Sequence, residues 1–224
     1  MNRRQLYWKG LRVPFIAPWS GEKALPVEIV RRHGIMGEQG IGYPDEDSRF
    51  DRRHGNLWVR MPAVRGVGRP NLGGVHSLRQ RQAMSHMLCL VCGESTFGRD
   101  DERHLFLMRA PAGQPIAEGE VTPVPPVHES CAIESRRDCP HLRKGYTASL
   151  VEHAQPWGAA GILYDPKTLQ PLPCKDGDKD GLTFVEFADP ASRWLLAARD
   201  VVSLHGCTTV DLDELEQAAT AVAA

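Results

Sequence analysis

No stretch of the chain approaches the run of about 18 consecutive apolar residues that a membrane-spanning helix needs, and the opening Met-Asn-Arg-Arg-Gln-Leu-Tyr-Trp lacks the apolar segment of a signal peptide. The expectation is a cytoplasmic protein with no membrane partner. No Gly-Lys-Ser/Thr phosphate loop occurs, and the glycine run from Gly34 to Gly42 has neither the G-x-G-x-x-G order nor the strand-to-helix setting of a dinucleotide site. A Gly-x-Ser-x-Gly elbow is missing too, which removes the commonest serine-nucleophile signature. Six cysteines in 224 residues are too sparse for a disulfide framework, and several of them sit among histidines, which favours metal binding. Cys174 and Cys207 stand apart and read as ordinary buried thiols.

What is present is Cys89-Leu-Val-Cys92-Gly, two thiols at a tight Gly-ended turn, half of a tetrahedral zinc site. Residues 128–141 offer His128, Cys131, Cys139 and His141 as further ligands. Cys131 and Cys139 are eight residues apart, about 12 Å along a straight helix, so one helix does not bring both to one ion. His128 and Cys131 have the spacing of a pair at a helix start, which makes Cys89, Cys92, His128 and Cys131 around a structural Zn2+ the preferred set. Pro140 disfavours helical geometry at Cys139, so a chain that folds back there makes Cys139 the alternative fourth ligand.

These residues resemble the treble-clef class of zinc folds over about residues 86–143: Cys89 and Cys92 match the knuckle pair, and His128 with Cys131 matches the pair at the helix start. The 35-residue, proline-rich insertion between the pairs is long for the class. His-Asn-His nucleases build their catalytic element on the same frame. That likeness implies His104 as a weak candidate for the catalytic base, with Asp100, Asp101 or Glu102 around an additional divalent ion. The middle asparagine has no candidate after Asn71, and no carboxylate directly precedes His104.

The net charge of -1 hides a gradient. Residues 1–86 carry 15 Lys+Arg against 7 Asp+Glu, residues 87–144 carry 7 against 9, and residues 145–224 carry 5 against 12. A basic N-terminal zone built almost wholly on arginine either faces phosphates or docks on the acidic zone within the fold.

These zones also set the expected organisation: an arginine-, Gly- and Pro-rich part (1–86) of short strands and long loops, a zinc-binding centre (87–144), and an acidic α+β part (145–224), all within one continuous fold or as separate units. The fold class expected is α+β, with a zinc-stapled treble-clef-like middle and short strands and helices on either side. A short helix over 75–88 leads into the knuckle, Leu105 to Met108 forms a strand of a hairpin, and 110–126, with five prolines, is a loop. Strands are expected at 161–164 and 182–187, a helix from Asp189-Pro190 through Arg199, a strand or extended buried piece at 201–205, and a last acidic helix from Asp211. Asp176-Gly-Asp-Lys-Asp-Gly181 opens like a calcium loop, but Phe187 stands where the bidentate Glu belongs, so an acidic hairpin turn is the reading.

His33, His54, His76, His86 and His153 have no partner at diagnostic spacing. The leading functional expectation is a zinc-stabilised binding or adaptor protein whose protein or nucleic-acid partner meets the arginine-rich part and Trp8, Trp19 and Trp58. The alternatives are a metal-dependent hydrolase or nuclease of His-Asn-His-like type and an enzyme of small-molecule metabolism with its pocket between the terminal zones.

Overall fold

The computed structural model describes residues 3–34, 37–111, 114–174 and 181–222. In chain order the elements are β1 (Tyr7–Trp8), β2 (Leu11–Arg12), β3 (Val30–His33), β4 (Gln39–Gly42), α1 (Ser48–Asp51), β5 (Arg52–Arg53), β6 (Asn56–Trp58), α2 (Ser77–Ser85), β7 (His104–Met108), β8 (Glu120–Thr122), α3 (Glu129–Asp138), β9 (Thr147–Val151), β10 (His153–Leu163), β11 (Thr183–Glu186), β12 (Leu195–His205), β13 (Thr208–Thr209) and α4 (Leu212–Val222). Single 3-10 turns lie at Ser20–Glu22, Leu142–Lys144 and Pro190–Trp194. Helices and strands are mixed, as an α+β chain requires. The calcium-like stretch falls outside the described residues except for Gly181.

The spine is β12. One edge pairs antiparallel with β10 from Leu195↔Leu163 to His205↔His153. The other edge is shared: Leu196 and Ala197 pair in parallel with β6, and Val202 to Leu204 pair antiparallel with β8. Strands from the basic, central and acidic zones therefore meet on one strand. Between β6 and β8 the edge is completed by a side chain: Gln80 of α2, fully buried, accepts from Asp200 N–H (2.9 Å) and donates to Asp200 O (2.9 Å) and Pro123 O (2.7 Å). A carboxamide carries the donor and acceptor of a peptide group, so Gln80 stands in for the missing strand.

A second sheet, β13-β9-β7, lies between this spine and the central helix α3. Its edge strand β7 explains the apolar run at 105–108: Leu105 and Leu107 pack with Cys89, Val127, Cys131 and Leu150, whereas Phe106 and Met108 pack with Met84, Val202 and Leu204 on the opposite face. A strand buried on both faces needs apolar residues in succession rather than in alternation.

Several expectations are corrected. Leu105–Met108 is a strand, but among the described residues its strand partner is β9, beyond α3, and ahead of the helix it makes only the isolated bridge Leu105↔Val127. The loop at 110–126 contains β8. The helix expected from Asp189 to Arg199 is a single 3-10 turn, with Asp189 capping Ala191 N–H at 2.8 Å; from Leu195 the chain is strand, because Leu195, Leu196 and Ala197 are buried between β6 and β10, where flanking strands supply ladder bonds that outweigh helix propensity. Trp19 and Trp58 are buried core residues and not partner-facing aromatics. Cys174 and Cys207 are half-buried.

The basic zone is held by carboxylates near it in sequence. Arg52 grips Glu46, Arg60 grips Asp45 and Asp51, and Arg79 grips Glu22. The Arg79 pair is fully enclosed: Nη1 and Nη2 meet Glu22 at 2.6 and 2.7 Å, while Nε and Nη2 donate to Phe15 O and Ala17 O. His76, also buried, donates Nε2–H to Pro62 O and caps α2. Burial pushes the Glu22 carboxyl upward, but hydrogen bonds from Arg79 and the Trp19 amide outweigh it, so its pKa lies below the usual carboxylate range.

Because that pKa is depressed in the folded state, the pair contributes fully above the unfolded value of about 4.3 and is lost as pH falls through the lower folded value. Urea unfolding should therefore show wild type losing stability below about pH 4 more steeply than Glu22→Gln. At neutral pH, Arg79→Met should cost about 3–5 kcal/mol, because it strands a buried carboxylate.

Candidate metal centre

The knuckle is built by backbone bonds. Cys89 N–H donates to Glu94 O and Gly93 N–H to Cys89 O, both at 2.8 Å, and Leu88 bridges to Ser95. Gly93 has φ +78°, a left-handed value that closes the turn at no steric cost to glycine. Leu90 N–H then reaches Pro126 O, and Val127 N–H reaches Leu105 O, which brings the segment before α3 against the knuckle. His128 is the N-cap of α3 and Cys131 its third residue, so the two side chains leave one face of the first turn. The His128 ring makes no cap bond and turns instead toward the sulfurs.

Cys89, Cys92, His128 and Cys131 each bring one ligand atom to within 4.8 Å of all the others. They lie close enough to hold a metal ion. A tetrahedron with metal–sulfur bonds of about 2.3 Å has sulfur–sulfur edges of roughly 3.8 Å, so this donor set fits a four-coordinate soft or borderline cation. His128 Nδ1 stands 3.2 Å from Cys92 Sγ, while Nε2 donates to Ser95 O at 2.8 Å, which makes Nδ1 the nitrogen that faces the sulfurs and would give up its proton to a cation. Cys89 Sγ accepts from His128 N–H at 3.5 Å, and Cys131 Sγ accepts from Arg12 Nη1 at 3.6 Å. Hydrogen bonds from Cys131 and Cys92 hold the Cys89 thiol well below its ordinary range, and Cys89 and Cys92 push His128 up to about 11. Three thiols in one pocket cannot all ionise without positive charge beside them.

Cys139 is the C-cap at the far end of α3 from His128 and is not part of this group. His104, first residue of β7, is buried. Its Nδ1 lies 2.8 Å from Thr96 Oγ1. That hydroxyl donates its own proton to Met87 O, so the ring nitrogen carries the proton between them. Burial lowers the His104 pKa. The neighbouring Asp101 is clasped by Arg99 and Arg103, which hold its carboxyl well below the ordinary range. Asp100 and Glu102 are exposed, and among the described residues no second group of three ligating side chains converges. Arg12 escaped the sequence reading: it reaches Cys131 from β2, 119 residues away, and pairs with Glu134 one turn along α3. No local pattern marks it.

Removing an outer partner of a metal ligand costs 10–100-fold in affinity. Competition of added Zn2+ with a chromogenic chelator should therefore show Arg12→Ala weakened by about that factor. His128→Ala should lose far more, and Cys139→Ala should be unchanged. Comparison with protein-family models, with curated proteins and with solved structures found no match to this chain.

Proposed function

We propose that the chain is a zinc-stabilised binding or adaptor protein in which the ion is a structural staple and a nucleic acid contacts the arginine-rich N-terminal part. The observation that carries the first half is the convergence of three buried cysteines and one histidine on a single point. Four protein ligands fill a tetrahedral shell and leave no position for water or substrate. Zinc suits the three-sulfur, one-nitrogen donor set better than calcium or magnesium, which take oxygen ligands. The knuckle and the helix-borne second pair support a treble-clef-like arrangement. The pairing of β7 with β9 departs from it.

The second half rests on the distribution of cations. Arg3 and Arg65 both stand over the Phe15 ring, at 4.6 and 5.5 Å, and Arg65 Nη1 donates to Arg4 O. Burial, Arg79 and Arg3 all lower the Arg65 pKa, and its Nε and Nη2 have no partner among the described residues. An approaching phosphate would offset the mutual repulsion of Arg3 and Arg65. The nuclease reading has less support. Its candidate base, His104, is tied to Thr96, and the nearest clasped carboxylate, Asp101, is already neutralised.

Elemental analysis of the purified protein should give one zinc per chain, retained through EDTA dialysis, and forced removal should make the middle of the chain protease-sensitive. A zinc-free, fully folded protein would end the proposal. Fluorescence anisotropy with a labelled oligonucleotide should show affinity falling about 40-fold between 50 and 200 mM salt if three phosphates are neutralised. Arg3→Ala with Arg4→Ala should flatten that slope. Binding that ignores salt, or no binding, would point to a protein partner.

A further inference from the structure

A cleft of about 500 Å3 lies between the β3–β4 hairpin, the β5–β6 turn and the 3-10 turn that precedes β12. It is remote in the fold from the cysteines, and none of them lines it. Its volume is in the range of small-molecule sites. We propose that this cleft binds a small ligand bearing an oxyanion, a phosphate or a carboxylate, held between Arg32 and Arg193 with the Asn56 amide as a buried donor.

One glycine lets the segments that carry the two arginines approach each other. Arg32 of β3 is the direct ladder partner of Gly40 in β4. A Cβ placed on Gly40 would stand 2.6 Å from Arg193 O and 3.1 Å from Arg193 Cβ, so hairpin and 3-10 turn touch at a point that only glycine permits. Both arginine side chains line the cleft, both residues are exposed, and neither has an ion-pair partner among the described residues. Arginines so placed present forked donors suited to an oxyanion.

The back of the cleft supplies a second, independent sign. Asn56 is 1% exposed, lines the cleft, and its Nδ2 has no hydrogen-bond partner. A buried amide donor left unmade costs about 1–3 kcal/mol, and an oxyanion or an ordered water at this point would supply its acceptor. Asn56 follows the two-residue turn His54-Gly55, both with positive φ (49° and 80°), which swings the His54 ring onto Phe187 with centroids 4.5 Å apart. That pair walls the cleft with flat apolar surface.

The acidic residues of the cleft do not cancel its cations. Glu46 is fully engaged by Arg52, whose guanidinium also donates to Gly55 O and Ile41 O and so fixes the turn to β4. Glu38 stands at the hairpin mouth beside Gly34, its Oε2 without a partner, and is the one lining carboxylate not engaged by an arginine among the described residues. Against it are the guanidinium groups of Arg32 and Arg193.

The test is titration of the full chain with inorganic phosphate and, separately, acetate, followed by 15N–1H NMR on the Asn56 side-chain amide and the Gly40 backbone. Saturable shifts at both positions are expected with at least one of the two anions. Response to phosphate alone identifies a phosphoryl ligand, and response to acetate identifies a carboxylate one. In the Arg32→Ala/Arg193→Ala variant, whose spectrum elsewhere should superimpose on wild type because both side chains are exposed, affinity should fall about tenfold or more for each arginine lost. No shift with either anion, or unchanged affinity in the double variant, would overturn the proposal. Neither outcome depends on the metal centre.

Discussion

A buried guanidinium is tolerated only where its N–H groups find acceptors, since desolvation otherwise costs several kcal/mol. Arg79 meets that condition by drawing Phe15 O, Ala17 O and both oxygens of Glu22 around itself. The next residue, Gln80, imposes a similar demand on Asp200 and Pro123. Two adjacent polar side chains on a nine-residue helix thus place the N-terminal segment on one side and the sheet spine on the other. The same helix runs into Leu88 and the knuckle, so the position of Cys89 and Cys92 is inherited from α2. The metal centre is then completed from downstream by α3, and Phe15 N–H and Ile16 N–H close the circle on Val91 O and Leu90 O.

Features governed by local chemistry were legible in the sequence. The Cys-x-x-Cys-Gly turn, the His128–Cys131 spacing at a helix start, the helix at 77–85 and the apolar strand at 104–108 all follow from residues within a few positions of one another. Features set by distant partners were not. Leu195 to Arg199 carries good helix formers after an Asp-Pro start, and only β6 and β10, both more than 30 residues earlier in the chain, turn it into strand. Trp58 looked available to a partner because nothing near it in sequence indicates that Ala159, Val185 and Leu195 enclose it. Arg12 beside Cys131, and Asn56 at the back of a cleft, are long-range products of the same kind.

The two proposed sites divide the molecule by chemistry. Around the cysteines the polar contacts run within the chain, through Ser95 O, the His128 amide and Arg12 Nη1, and the surroundings are apolar. Such closure suits permanence. At the β3–β4 hairpin the reverse holds: a buried amide and two exposed arginines are left without partners among the described residues, which suits exchange with solvent-borne molecules.

The placement of β12 has a consequence for how the molecule is made. The strand that organises the main sheet lies at residues 195–205, whereas its partner β6 lies at 56–58 and its side-chain partner at 80. During synthesis at about 5–20 residues per second, β6 and α2 wait on the order of ten seconds before the strand they dock against exists. Through that interval Asn56, Leu57 and Trp58 have no final sheet partner, and the short strands, prolines and arginines around them are poor templates for pairing with another chain. The loop-rich character of the first 86 residues is therefore also a form of protection during a late-closing, long-range assembly.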